Sequence, residues 1–186
     1  MWLILPPEDA GEMKNEVTCR MIYFLIAFVI FLIDQGTKYL IATRMTIGEQ
    51  IPIIGDFFLI TSHRNRGAAF GILENQRLFF IIFTIVVVIG VVWYMQKVKG
   101  SPNKLLPAAL SLVLGGTLGN FLDRLLTGEV VDFLQFNFGS YTFPIFNVAD
   151  TSIVIGFSLI VLDSFLEIKR EKKASTALAA DQEDKS

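Results

Sequence analysis

Four uninterrupted apolar blocks, at about 22–41, 78–95, 105–126 and 148–168, constrain this chain more than any other feature. A bilayer core of ~30 Å needs about 20 helical residues at ~1.5 Å each, so every block is long enough to cross. Composition agrees: 53% of the 186 residues are hydrophobic, only 18% are charged, and mean hydropathy is +0.55. A soluble domain would spread its apolar residues at helical or strand period instead of massing them. The reading is an all-α membrane protein of four transmembrane helices. The first block is not a cleaved secretory signal, because it runs on through Asp34 and Lys38 without a small-residue cleavage site. A net charge of -2 gives no reason to expect nucleic acid as a partner, and Cys19, the single cysteine, excludes a disulfide framework or a cysteine-based zinc site within one chain.

Lys and Arg set the expected orientation. Lys14 and Arg20 precede the first block, Lys97, Lys99 and Lys104 separate the second from the third, and Lys169, Arg170, Lys172 and Lys173 follow the fourth. These ends should face the cytoplasm, placing both termini inside. The expected organisation is a polar cytoplasmic extension over 1–20, a membrane domain over 21–168, and a basic then polar, disordered tail over 169–186. Between the first two blocks, residues 50–61 are rich in β-branched and aromatic types broken by Pro52 and Gly55. They read as short strands at the outer membrane surface, within a β-like extracytoplasmic segment over about 47–73.

Alternating direction brings the polar residues to one leaflet. Asp34 and Lys38 share a face of the first helix at i,i+4, and Asn120, Asp123 and Arg124 gather at the outer end of the third. Asn147 and Asp150 open the fourth. Ionisable groups at membrane depth are costly and usually functional, although Asp34 with Lys38 could be a purely structural pair and Asn147 a helix N-cap. Gly115, Gly116 and Gly119 read as a packing device. Asp163 and Glu167 near the cytoplasmic end are expected to be explained by interface exposure.

The residue inventory narrows the chemistry. His63 is the single histidine and reads as a solvated loop residue, so histidine acid/base chemistry and a zinc protease site are disfavoured. No G-x-S-x-G elbow is present, and Ser152 and Ser158 lack a nearby Lys or His in sequence. Carboxylates remain: Asp34, Asp123, Asp132 and Asp150. Two held close share one proton, and such a pair activates water and protonates a leaving amine. Asp34 has Lys38 and Asp123 has Arg124 as neighbouring cations, so both read as scaffolding. Asp132, after Val130 and Val131, and Asp150, at an apolar helix start, are the better candidates.

Five ordered motifs carry a resemblance: D-Q-G-T-K at 34–38, R-N-R-G-A-A-F-G at 64–71, G-G-T-L-G-N-F-L-D-R at 115–124, V-V-D-F at 130–133 and F-N-V-A-D at 146–150. With them the chain resembles the bacterial lipoprotein signal peptidase family, signal peptidase II, over nearly its whole four-helix extent. The resemblance implies an intramembrane aspartic endopeptidase of the bacterial cytoplasmic membrane, with its active site at the extracytoplasmic side. It would cut the signal peptide from diacylglyceryl-modified prolipoproteins before the lipidated cysteine. It implies Asp132 and Asp150 as the catalytic pair, and Asp34, Lys38, Asn65, Gly67, Asn120, Asp123, Arg124 and Asn147 as substrate-positioning and support residues. It further implies a β-like cradle, a mobile loop over the site, inhibition by globomycin-type cyclic peptides, contact with membrane lipids, and no metal or other cofactor. Thr117 stands where many members have Ala, and the polar extension before Val17 is long for the family.

Two other classes fit intramembrane carboxylates. A small transporter would need polar groups across the full depth, whereas here they crowd one leaflet. A non-catalytic lipid-binding or chaperone protein would use the same groove without cleavage.

Overall fold

The structure, a computed structural model, describes residues 10–67, 72–98 and 103–183. Its elements run α1 (Ala10–Arg44), β1 (Gln50–Ile54), β2 (Phe58–Asn65), α2 (Arg77–Lys97), α3 (Leu105–Leu126), β3 (Val130–Phe138), β4 (Tyr141–Thr142) and α4 (Val148–Glu183). All four helices are long and apolar enough to span a bilayer, over Met21–Arg44, Arg77–Lys97, Leu105–Leu126 and Val148–Lys173. Helices α1 and α4 continue beyond the apolar blocks. The polar stretch 10–20, and 169–183 of the tail expected to be disordered, are helical here; neither contains proline, and 169–183 is rich in the strong helix formers Ala, Lys and Glu.

Helix α3 is the hub, packing against α1, α2 and α4. What it buries is small or polar: Ala109, Ser111, Gly115, Gly116, Gly119 and Asn120 are all buried, alongside Leu110 and Leu114. Hydrocarbon outside the bundle is as apolar as leucine, so helices associate through close backbone approach and not through hiding apolar side chains. The glycine triplet does pack as read. Gly119 lies so close to the Asp34 carboxylate that a Cβ would collide with Oδ2, and alanine there would push the two helices apart. By contrast, α2 buries only Met95 and presents Phe79, Ile82, Phe83, Val86, Ile89 and Trp93 outward. A groove of about 390 Å³ between α1 and α3, walled by Phe24, Phe28, Phe31, Leu118 and Phe121 among others, is also wholly apolar in its lining side chains and touches none of the polar cluster.

Asp163 corrects its expectation. It is buried, not interface-exposed, and accepts a hydrogen bond from the Asn103 side-chain amide, while Asn103 Oδ1 accepts the Leu105 backbone N–H. The contact ties α4 to the start of α3, and burial is tolerated because the carboxylate is satisfied.

At one end of the bundle sits a small open antiparallel sheet in the order β1-β2-β3-β4. Strands β1 and β2 fall inside the expected β-like segment; β3 and β4, which follow α3, were not expected. Register is continuous from Phe58 opposite Phe136 to Ile60 opposite Leu134, then resumes at His63 opposite Asp132 and Asn65 opposite Val130. Thr61 and Ser62 together therefore face the single residue Phe133. This bulge turns both to the buried side, where Leu59, Phe133 and Gln135 are also buried.

Candidate active site

The site assembles where the start of α4, the C-terminal part of α3 and strand β3 meet α1. Asn147 and Asp150 cap α4 reciprocally: Asn147 Oδ1 accepts the Asp150 backbone N–H at 2.9 Å, and Asp150 Oδ2 accepts the Asn147 backbone N–H at 3.2 Å. This is a capping box built from N-x-x-D, a contact local to the start of α4 that orients both side chains. The N-cap reading of Asn147 is therefore correct and incomplete, because its amide is also committed elsewhere. Asn147 Nδ2 donates to Asp132 Oδ1 at 2.7 Å and to Asn120 Oδ1 at 3.2 Å. One asparagine thus bridges the two aspartates that sequence reasoning singled out.

Asn120 completes the bridge from α3, donating through Nδ2 to Asp150 Oδ1 at 2.7 Å. Its Oδ1 accepts from Lys38 Nζ at 2.8 Å. An ammonium can only donate, so the lysine dictates which way the Asn120 amide faces and keeps its NH2 on Asp150. Asn65 Nδ2 donates to the other oxygen of Asp132 at 2.9 Å, and Asn65 Oδ1 accepts the Gly67 backbone N–H at 2.9 Å. Asp132, 1% exposed, has no Lys or Arg within ion-pair distance among the described residues. Burial, reinforced by the charge of nearby Asp150, pushes its carboxyl up to about 7, against the lowering pull of the Asn65 and Asn147 hydrogen bonds and of Lys38.

Asp34 and Asp123 are held differently. Lys38 Nζ lies 2.8 Å from Asp34 Oδ2 and 2.9 Å from Asp123 Oδ2. Asp34 Oδ1 also accepts the Ala149 backbone N–H at 2.9 Å, pinning α1 to the first turn of α4. The cation beside Asp123 is therefore Lys38 and not its sequence neighbour Arg124. Arg124 makes no direct ion pair with Asp123 and donates to Gly67 O at 3.0 Å and Asn120 O at 3.4 Å, its guanidinium stacked over Phe80 and near enough to Asp150, Asp132 and Asp123 for their charges to act on it. Sequence adjacency misled because residues i and i+1 project from a helix about 100° apart.

Gly67 is buried, and a Cβ on it would lie 2.7 Å from Ile72 O. Only glycine lets the chain return so closely. Asn75 N bonds to Arg66 O at 3.0 Å, drawing the ends of this loop together. Residues 68–71, the last part of the R-N-R-G-A-A-F-G motif, lie outside the described residues, as does Lys99.

All ten site residues named from sequence thus join one network. Sequence reasoning missed Gln35, whose Nε2 lies 3.2 Å from Asp34 Oδ2, 3.1 Å from Gly119 O and 3.0 Å from Asp123 Oδ1. Its place inside D-Q-G-T-K, with its amide reaching the α3 face that Asp34 touches, was the available signal. His63 was read as a loop residue and is on β2 opposite Asp132. Among the described residues, no group of three or more His, Cys, Asp or Glu is arranged to hold a metal ion.

The family model for signal peptidase (SPase) II matches residues 26–166. The lipoprotein signal peptidase of Bacillus pumilus is 50% identical over 156 residues, covering 84% of this chain and 100% of that protein. The lipoprotein signal peptidase of Brevibacillus brevis is 55% identical over 153 residues, covering 82% of this chain and 100% of that one. A bacterial membrane enzyme solved by the in meso method at 2.3 Å superposes with a TM-score of 0.74 at 45% identity, covering 80% of this chain and 90% of that chain. Family model, relatives and solved structure agree, and the chain belongs to the signal peptidase II family.

Proposed function

We propose that Asp132 and Asp150 are the catalytic pair with which this chain, an aspartic endopeptidase of a bacterial membrane, removes signal peptides from prolipoproteins. The observation that carries the assignment is the shared clamp: both carboxylates hang on Asn147 and, through it and directly, on Asn120, with neutral amide donors on each. Amides orient a carboxylate without neutralising it, so a proton can reside on one member and be exchanged through water.

Asp132, whose carboxyl titrates near 7, holds the shared proton, and Asp150 is the base. A water between them gives its proton to Asp150 as its oxygen attacks the scissile carbonyl carbon, while Asp132 hydrogen-bonds the carbonyl oxygen. The tetrahedral intermediate collapses as the C–N bond breaks. The departing amine takes the proton from Asp150, and the pair returns to one shared proton. Asn65, Asn120 and Asn147 keep the two carboxyls aimed, Lys38 with Asp34 and Asp123 holds Asn120, and Arg124 ties α3 to Gly67 just past the end of β2.

The finer reading is that the substrate is diacylglyceryl-modified and is cut before its lipidated cysteine. Its signal helix lies against α1, α3 and α4, and its acyl chains remain among lipid. The Lys and Arg distribution supports an orientation with both termini in the cytoplasm and the sheet and aspartates outside. Globomycin-type cyclic peptides would compete for the same groove. Incubating the purified protein with lipidated and non-lipidated substrate peptides, with and without globomycin, tests this. Cleavage of the lipidated peptide alone, blocked by the inhibitor, is expected; equal cleavage of both peptides would overturn the lipid requirement.

A further inference from the structure

We infer that His63 is a substrate-positioning residue, its imidazole hydrogen-bonding the peptide backbone next to the scissile bond; this rests on the endopeptidase reading above. The first support is register. His63 is the direct cross-strand partner of Asp132, and partners in an antiparallel pair project to the same face with Cβ atoms about 4.5–5.5 Å apart. Without the bulge at Thr61 and Ser62, strict alternation from Ile60 would send residue 63 to the opposite face. The inserted residue restores it to the face that carries Asp132 and Asn65.

The second support is what that face looks like. Moving away from Asp132 it continues as Ile60 opposite Leu134 and Phe58 opposite Phe136, all half-buried, while the other face holds the buried Leu59, Phe133 and Gln135. An extended peptide passing the aspartates runs along this apolar track, and His63 stands beside it where the track reaches Asp132.

The third support is that His63 is uncommitted. Arg64 on one side of it donates to Ser62 Oγ and approaches Glu129, and Asn65 holds Asp132 and Gly67. Among the described residues, the exposed His63 side chain has no hydrogen bond or ion pair, and the exposed position requires none for stability. A neutral imidazole offers one donor and one acceptor, which suits an extended backbone presenting both a carbonyl and an N–H.

Two measurements on the full chain test the inference. A benzophenone amino acid placed at position 63 in an Asp150→Asn background should photocross-link a lipidated substrate peptide at residues adjoining the cut site. The same probe at Ile53 on β1 should not. Cross-linking at both positions alike, or at neither, overturns the contact. His63→Ala should raise KM about tenfold, the loss of roughly one hydrogen bond to substrate, with kcat and its pH profile unchanged and with His63→Gln recovering part of the effect. An unchanged KM, or a fall in kcat at constant KM, would overturn the positioning role. The aspartic reading fails separately, if Asp132→Asn and Asp150→Asn still cleave, because the cross-link needs no turnover.

Discussion

Two pairs of carboxylates meet at Asn120, and they are held in opposite ways. Asp34 and Asp123 both sit within 3 Å of one ammonium, that of Lys38, and Gln35 reaches each of them with its amide. Asp132 and Asp150 receive only amide N–H groups, from Asn65, Asn120 and Asn147. A buried cation fixes charge and geometry together, which is what a scaffold needs. Neutral donors fix geometry and leave charge free to change, which is what acid/base chemistry needs. On the proposed assignment, four aspartates in one network divide into structure and reaction by the identity of their donors.

The largest effect that sharpens this contrast is on chemistry. Asp132→Asn and Asp150→Asn should each lower cleavage of a lipidated peptide by about 10³-fold or more while the protein still inserts and purifies as a folded species. Turnover within tenfold of wild type in either would break the division. Next is the scaffold: Lys38→Met strands the buried Asp34 and the half-buried Asp123 carboxylates and should cost about 3–5 kcal/mol in denaturant or thermal unfolding in micelles. A loss under about 1 kcal/mol would mean the lysine is not what holds Asp34 and Asp123.

The pH dependence comes third. Since burial and Asp150 raise the Asp132 carboxyl to about 7, activity should fall on the alkaline side as the pair loses its proton near that pH, an apparent value belonging to both groups. Stability follows the same sign. The folded state binds this proton more tightly than the unfolded chain, so the contribution is full below about 4, the ordinary range of the group, and is lost as pH rises through about 7. Unfolding curves across that window should show the slope in wild type and lose it in Asp132→Asn. The smallest effect is expected from Asp123→Asn, which keeps a Lys38 acceptor. It should weaken stability or KM more than kcat, and an effect confined to kcat would move Asp123 into the reacting pair.

Much of this was legible in the sequence, for physical reasons that also explain the gaps. Membrane crossing needs a run of apolar residues with few charges, so the four spans and the convergence of Asp34, Asn120 and Asp150 follow from block length and alternating direction. The β1–β2 hairpin was visible through Pro52, Gly55 and the β-branched run. Strand β3 was not, although Val130–Phe138 is as rich in β-branched and aromatic residues, because its pairing partner β2 lies some 65 positions earlier, Asn65 facing Val130, and such a contact leaves no local trace. The same limit hid His63, whose place depends on a one-residue bulge. It also hid the Lys38–Asp123 pair, where three-dimensional neighbours outrank the adjacent Arg124.

The claim that one proton lives on the Asp132–Asp150 pair is tested most directly by isotope-edited infrared titration of the protein carrying ¹³C-aspartate. A protonated aspartyl carbonyl band should be present at pH 6, vanish as pH passes about 7, persist in Asp123→Asn and be absent in Asp132→Asn. The same band retained in Asp132→Asn would place the proton elsewhere and contradict the mechanism.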